Sequence, residues 1–289
     1  NPKLLLDLPA TTVSKHLGGA ITIGPDDNIY LIVGDGHSCY ANCERMKSAL
    51  WSQTSNEEYG SPVEGRGGIL RVSPEGKEVQ AGGILGKKYP LNLFFAYGIR
   101  NGFGLDFDPI TGKLWDTENG PEFGDEINLV EPGFNSGWTK VQGIWKVSNY
   151  SSFTREHGEV SQVPENLVEF KGKGKYSSPE LTWNITVAPT AIKFLNTSKM
   201  GKIYQNDLFV GDFNNGNIYD FDLNNDRNGL KLDGPLKDGI VNVSDETQEV
   251  IFGKGFGGIS DIEVSDDGIM YVSSISTDKI FKILPVKEK

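Results

Sequence analysis

The chain has 289 residues, and its 39 acidic and 28 basic side chains leave a net charge of -11. That balance disfavours nucleic acid and anionic membrane as partners, because both are held mainly by basic patches. No run of about 18 apolar residues occurs, so no helix is predicted to span a bilayer; no Ser/Gly linker or long charge block divides the sequence, which reads as one domain, residues 1–289.

Taken in chain order, AITIGPDDNIYLIVG (20–34) predicts a strand, a Gly-Pro-Asp-Asp turn and a second strand. Asp and Asn close such turns by bonding their own backbone, and Gly accepts positive φ. GGILRVSPEGK (67–77) adds a strand and another turn, and GLDFDPITGKLWDTE (104–118) repeats the strand, acidic turn, strand order. TAIKFLNTSKMGKIYQNDLFVGDFNNGNIYDFDL (190–223) repeats it with a longer loop, and SDIEVSDDGIMYVSSISTDKIFKIL (260–284) is the cleanest copy. The strands are short, aromatic and β-branched, with partial alternation. The nearest helical candidates, LPATTVSKHL and NCERMKSALW, are a turn or two at most.

Repeated antiparallel units that cannot bury a face alone predict an all-β fold, a β-propeller, with a β-sandwich as the alternative. About four blade cores are predicted, at 17–76, 98–130, 190–223 and 258–285. The segment 131–189, rich in Trp, Tyr and Lys, is predicted to be a long loop excursion, and long loops in a compact domain usually carry function. Cys39 and Cys43 in CYANC can close a small disulfide loop. Four sequons, at Asn149, Asn184, Asn196 and Asn242, fit an exported glycoprotein, extracellular, periplasmic or at the cell surface.

In a propeller, loops at one end converge on the central channel. His16 in HLGG and Arg100 in YGIRNGFG both fall just before an innermost strand, as does GKGFGGIS (253–260). His16 is a candidate general base, since imidazole titrates near neutral pH; the alternative is a histidine satisfied by packing. Arg100 suits an anionic cofactor or developing negative charge, or else an ion pair with the acidic loops. In TENGPEFGDEINLV (117–130), Gly120 and Pro121 can present backbone carbonyls of the kind calcium accepts. Asp125 and Glu126 can bind the same ion, bind a second one, or orient the loop. His37 and His157 have no recognisable ligand spacing. No Walker loop, HExxH or GxSxG is present.

The segments HLGGAITIGPDDNIYLIVGD, GGILRV, YGIRNGFGLDFDPITGKLWDTENGPEFGDEINLVEPGFNSGW and DIEVSDDGIMYV recur in order. In them the chain resembles the soluble quinoprotein glucose/sorbosone dehydrogenases, which include the aldose sugar dehydrogenases. The resemblance implies a six-bladed propeller that binds pyrroloquinoline quinone with calcium and oxidises an aldose C1 hydroxyl to the lactone. Electrons then pass to an external acceptor. By this resemblance His16 is the base and Arg100 the arginine beside the quinone carbonyls, followed by Asn101. Gly120 and Pro121 are the carbonyl donors to the cofactor calcium. Asp125 and Glu126 are the acidic pair of the loop, the glutamate serving a separate structural calcium in some members. The chain departs from the family pattern at Ala20, Asn119 and Asp220, the last near a position where basic residues are expected. It matches the last four blades, which implies that about a hundred N-terminal residues of the pattern lie outside it, the first two blades coming from a separated piece or a partner polypeptide. The other reading of the whole is a non-catalytic extracellular propeller acting in binding or assembly.

Overall fold

The acidic turns form as their residues dictate. In the computed structural model, which describes residues 1–8, 15–36, 65–149, 154–155 and 167–285, the Asp27 N–H donates to the Gly24 carbonyl at 2.9 Å. Asp27 sits at φ 59° while Asp26 caps the Asn28 N–H. The same chemistry recurs where Asp108 accepts from Ile110 N–H and the Thr111 hydroxyl. At Ser265–Gly268 a 2.7 Å backbone bond closes the turn and Gly268 takes φ 78°. These short polar turns fix the register of the hairpins on either side. Both helical candidates, the cysteine pair, His37 and His157 lie wholly or mainly outside the described residues.

The chain divides into two units, residues 1–102 with 130–178 and residues 103–129 with 179–289. In the first, Ile21–Ile23, Ile29–Val33, Gly68–Val72 and Phe94–Tyr97 form an antiparallel meander. Phe134–Asn135 and Lys175–Tyr176 extend it in parallel. Leu70, Val72, Leu91, Phe94, Tyr97 and Phe170 pack beneath it as one apolar cluster. A smaller sheet joins Val141–Gln142, Trp145–Asn149 and Thr154–Arg155.

The second unit holds three sheets. Gly102–Phe107, Leu114–Glu118, Asp125–Val130, Leu181–Trp183 and Ile240–Val241 make one; Pro189–Phe194, Leu208–Asp212, Ile218–Phe221 and Ile251–Gly253 make another; Ile259–Val264, Met270–Ser274 and Lys279–Ile283 make the third. Trp115, Ile127, Leu181 and Trp183 are buried with Phe194, Val210 and Tyr219 in the core between the first two, and Ile262, Met270 and Val272 with Phe209 in that between the last two. Trp115, Trp183, Tyr219, Phe209 and Phe221, all fully withdrawn from water, are the main apolar contribution here, each removing roughly 150–250 Å².

The fold is all-β, with only short 3-10 turns besides strands among the described residues. Two expectations need correction. The segment 131–189 is not a loop excursion throughout: it contributes strands to three sheets. The repeats were also read one strand short. Phe94–Tyr97, Leu181–Trp183 and Ile251–Gly253 add a fourth strand to three of the meanders, each from beyond the span in which the repeat is visible.

Candidate active site

In the first unit the site is built around a glycine. A Cβ at Gly34 would meet the His16 carbonyl at 2.5 Å, the Arg100 carbonyl at 2.7 Å and the His16 Cβ at 2.9 Å. Only a residue without a side chain lets the two segments that carry His16 and Arg100 approach this closely. His16 itself adopts φ 54°, and behind it Gly18 at φ 82° lies against the Ile32 carbonyl, 2.1 Å from where a Cβ would stand. The HLGG segment is thereby pinned to strand Ile29–Val33.

Asp35, next in the chain, ties this assembly together. Its backbone N–H donates to the Arg100 carbonyl at 2.8 Å. Its Oδ1 lies 2.7 Å from His16 Nδ1, and its Oδ2 accepts from Trp138 Nε1 at 2.7 Å. An ionised carboxylate can only accept, so Nδ1 carries a proton, and in the neutral imidazole Nε2 then keeps its lone pair. The His16 side chain is 12% exposed, enough to meet a small solute. Arg100 is buried, its Cζ 5.4 Å from the centre of the Trp138 ring, and the half-buried Asn101 follows it. Asp35 and Trp138 were not singled out in the sequence. The signal for each was its place as the final residue of a segment that carries the resemblance, HLGGAITIGPDDNIYLIVGD for Asp35 and the one ending GFNSGW for Trp138, although Trp138 also falls in the stretch 131–189.

In the second unit the Gly-Pro turn is equally constrained. A Cβ at Gly120 would fall 1.9 Å from the Phe123 carbonyl oxygen, so the turn admits glycine alone. Asp125 Oδ1 accepts the Gly120 N–H at 2.7 Å. Its Oδ2 accepts from Val187 N–H at 2.6 Å and Ala188 N–H at 2.7 Å. Three backbone donors on one buried carboxylate are the arrangement of a residue that orients its loop. Glu126 is buried on the sheet and does not join this group; its Oε2 accepts from Asn128 Nδ2, which also reaches Asp116 Oδ1. Burial pushes Asp116 up to about 7, with only the Asn128 bond opposing.

Calcium takes backbone carbonyls in flexible number, and the Phe123 carbonyl lies within this tight turn. No group of three or more His, Cys, Asp or Glu side chains suited to a metal occurs among the described residues. Beside Val187 lies a cavity of about 310 Å³ bordered by Trp183, Tyr219, Asn215, Asn217 and Ser244, with no carboxylate in its wall. Asp220 faces elsewhere. It borders a separate cavity with Asp207, Asp222 and Lys231, where burial and then the Asp222 charge push it up to about 7.

Known proteins extend this picture. An aldose sugar dehydrogenase from Escherichia coli, YliI, is 23% identical over 279 residues, covering 96% of this chain and 62% of its own length. Quinoprotein glucose dehydrogenase B from Acinetobacter calcoaceticus is 34% identical over 154 residues, 51% of this chain and 30% of that protein. The chain thus spans less than two thirds of either. A crystal structure of a glucose dehydrogenase superposes with a TM-score of 0.69 at 19% identity, covering 98% of this chain and 69% of that one, which places the fold with these propellers. The family model described as Glucose / Sorbosone dehydrogenase matches residues 2–282, and the chain belongs to that family.

Proposed function

We propose that the protein oxidises the C1 hydroxyl of an aldose to the lactone with pyrroloquinoline quinone and calcium, and that its electrons pass to an external acceptor. The observation that carries this reading is the His16–Asp35 pair, 2.7 Å apart. Asp35 holds the Nδ1 proton and leaves Nε2 free to take the proton of a sugar hydroxyl, the geometry a general base needs. Asp35 then stabilises the imidazolium that results. Arg100 places a guanidinium, which stays charged at any working pH, on the same small assembly, where it would attract an anionic cofactor together with Asn101. Gly120 and Pro121 would offer their carbonyls to calcium, with Asp125 holding the turn and Glu126 serving the loop or a second ion. When bound, the quinone supplies a two-electron acceptor and calcium a Lewis acid. The family membership and the quinoprotein relative support the cofactor. Over the cycle the sugar loses two electrons and two protons.

A second reading rests on a different feature. The cavity beside Val187, lined by aromatic and amide side chains with Lys254 as its one charge, has the size of a small-molecule site and would serve a non-catalytic binding module equally well. Titration with the quinone and calcium, followed by a panel of aldoses with a dye acceptor, separates the two. Turnover that disappears in His16→Ala establishes the enzyme. Absence of quinone binding in a chain that still binds calcium favours the module. An extracellular or periplasmic setting, and a partner polypeptide completing the propeller, belong to the first reading and are tested by secretion and by co-purification.

A further inference from the structure

We infer that Trp138 is a positioning residue for His16, acting through Asp35, and that it couples His16 to Arg100. This rests on the reading of His16 as the base. A carboxylate holding a base in one orientation must itself be held, and on one side Asp35 is fixed by its own backbone bond to the Arg100 carbonyl. Its second oxygen takes the Trp138 indole N–H at 2.7 Å, in a place where the tryptophan is fully buried and Asp35 is 4% exposed. A hydrogen bond this withdrawn from water is not replaced by solvent when it is lost.

Trp138 is anchored at both ends. Its backbone N–H donates to the Gly98 carbonyl at 3.0 Å, two residues before Arg100. Gly137, before it, takes φ 102° and lies where a Cβ would stand 2.9 Å from the Tyr176 ring. The Trp138 main chain is therefore tied to the segment that carries Arg100, and the face of its ring lies under the Arg100 guanidinium. One side chain thus fixes the direction of the proton acceptor and the seat of the cation. Partners that orient metal-ligating histidines typically matter by about 10- to 100-fold, and an effect of that order is expected for this histidine.

Trp138→Phe keeps a ring under Arg100 and deletes the N–H. In that variant kcat is expected to fall about 10-fold or more with KM nearly unchanged, whereas Trp138→Leu should raise KM as well. The decisive readout needs no cofactor. In the unliganded protein, the ¹⁵N spectrum of the His16 ring should show one tautomer, with Nδ1 protonated, and Trp138→Phe should show a mixture. In case that variant fails to fold, the wild type carries its own test: the Trp138 indole ¹⁵N–H resonance should shift in step with protonation of His16. A single tautomer retained in Trp138→Phe, or an indole resonance that stays flat while His16 titrates, overturns the inference. A wild type that turns over no sugar retires the proposed activity instead and leaves these spectra to decide the positioning.

Discussion

The Asp125 carboxylate reaches back five residues to the Gly120 N–H, 2.7 Å away, and forward to the Val187 and Ala188 N–H groups. The Gly-Pro turn therefore owes its shape to a side chain that spans two loops, not to local propensity. Asp125→Ala leaves three donors without that acceptor and is expected to cost about 3–5 kcal/mol, read by urea denaturation. Asp125→Asn, which keeps one acceptor oxygen, should cost less. In both, calcium affinity should fall in proportion to the loosened turn; an unchanged affinity would place the ion elsewhere.

Gly34→Ala pushes a methyl against the backbone carbonyls of both His16 and Arg100. Overpacking of this kind costs about 1–3 kcal/mol. Because the clash lies between the two segments, the His16–Asp35 bond should lengthen first, so activity should fall well before the melting temperature does. A variant with lower stability but full turnover would show that the convergence at Gly34 is only architectural.

Arg227 grips Asp108 in a fork, Nε to Oδ2 at 2.8 Å and Nη2 to Oδ1 at 2.7 Å, and also reaches the Asn206 carbonyl. Burial opposes ionisation of Asp108, but the bonds from Arg227, Thr111 and Ile110 win and hold it below the usual carboxylate range. Its stabilising contribution is present above the unfolded value and is lost as pH falls through the folded one, below about pH 4. Removing one partner of such a pair costs about 3–5 kcal/mol, so Arg227→Ala should unfold at markedly lower urea. Arg227→Lys, unable to span both oxygens, should recover only part of that.

Asp207 and Asp220 act in the opposite sense. Burial and mutual repulsion with Asp222 push both up to about 7. A raised acid stabilises the fold fully only below its unfolded value near 4, and that contribution disappears as pH rises through 7. Asp220→Asn should therefore raise stability at pH 8 by about 1–2 kcal/mol after allowing for solvent screening, and should flatten the decline between about pH 4 and 7. An unchanged profile would mean that the cluster is relieved by solvent or by Lys231.

Much of the hairpin architecture was legible because Asp, Asn and Gly announce their turns: Asp26, Asp108 and Gly268 each do in the structure what their position suggests. The fourth strands were not legible. Leu181–Trp183 and Ile251–Gly253 are three residues long, too short to show alternation, and their pairing is decided by partners far away in sequence. The same holds for the site. His16 and Arg100 stand out by residue type and shared position, whereas Asp35 matters through what it touches, and Trp138 is 103 residues from the carboxylate it serves. For Asp220 the sequence marks a position near an expected basic residue but not which way the strand side chain turns; in the structure it borders a cavity with Asp207 and Asp222.

Each unit is drawn from two separate stretches, with 103–129 and 130–178 interleaved between them. A ribosome releases the opening strands of the second unit before the first unit has received Phe134–Asn135 and Trp138, and the core around Trp115 then waits for Leu181 and Trp183. Neither unit is obtainable by cutting the chain once. During synthesis the Gly-Pro turn emerges long before Val187 and Ala188, the groups that will hold Asp125 in place, so the nascent chain carries a buried-type carboxylate in the open until about two thirds of the sequence has been made.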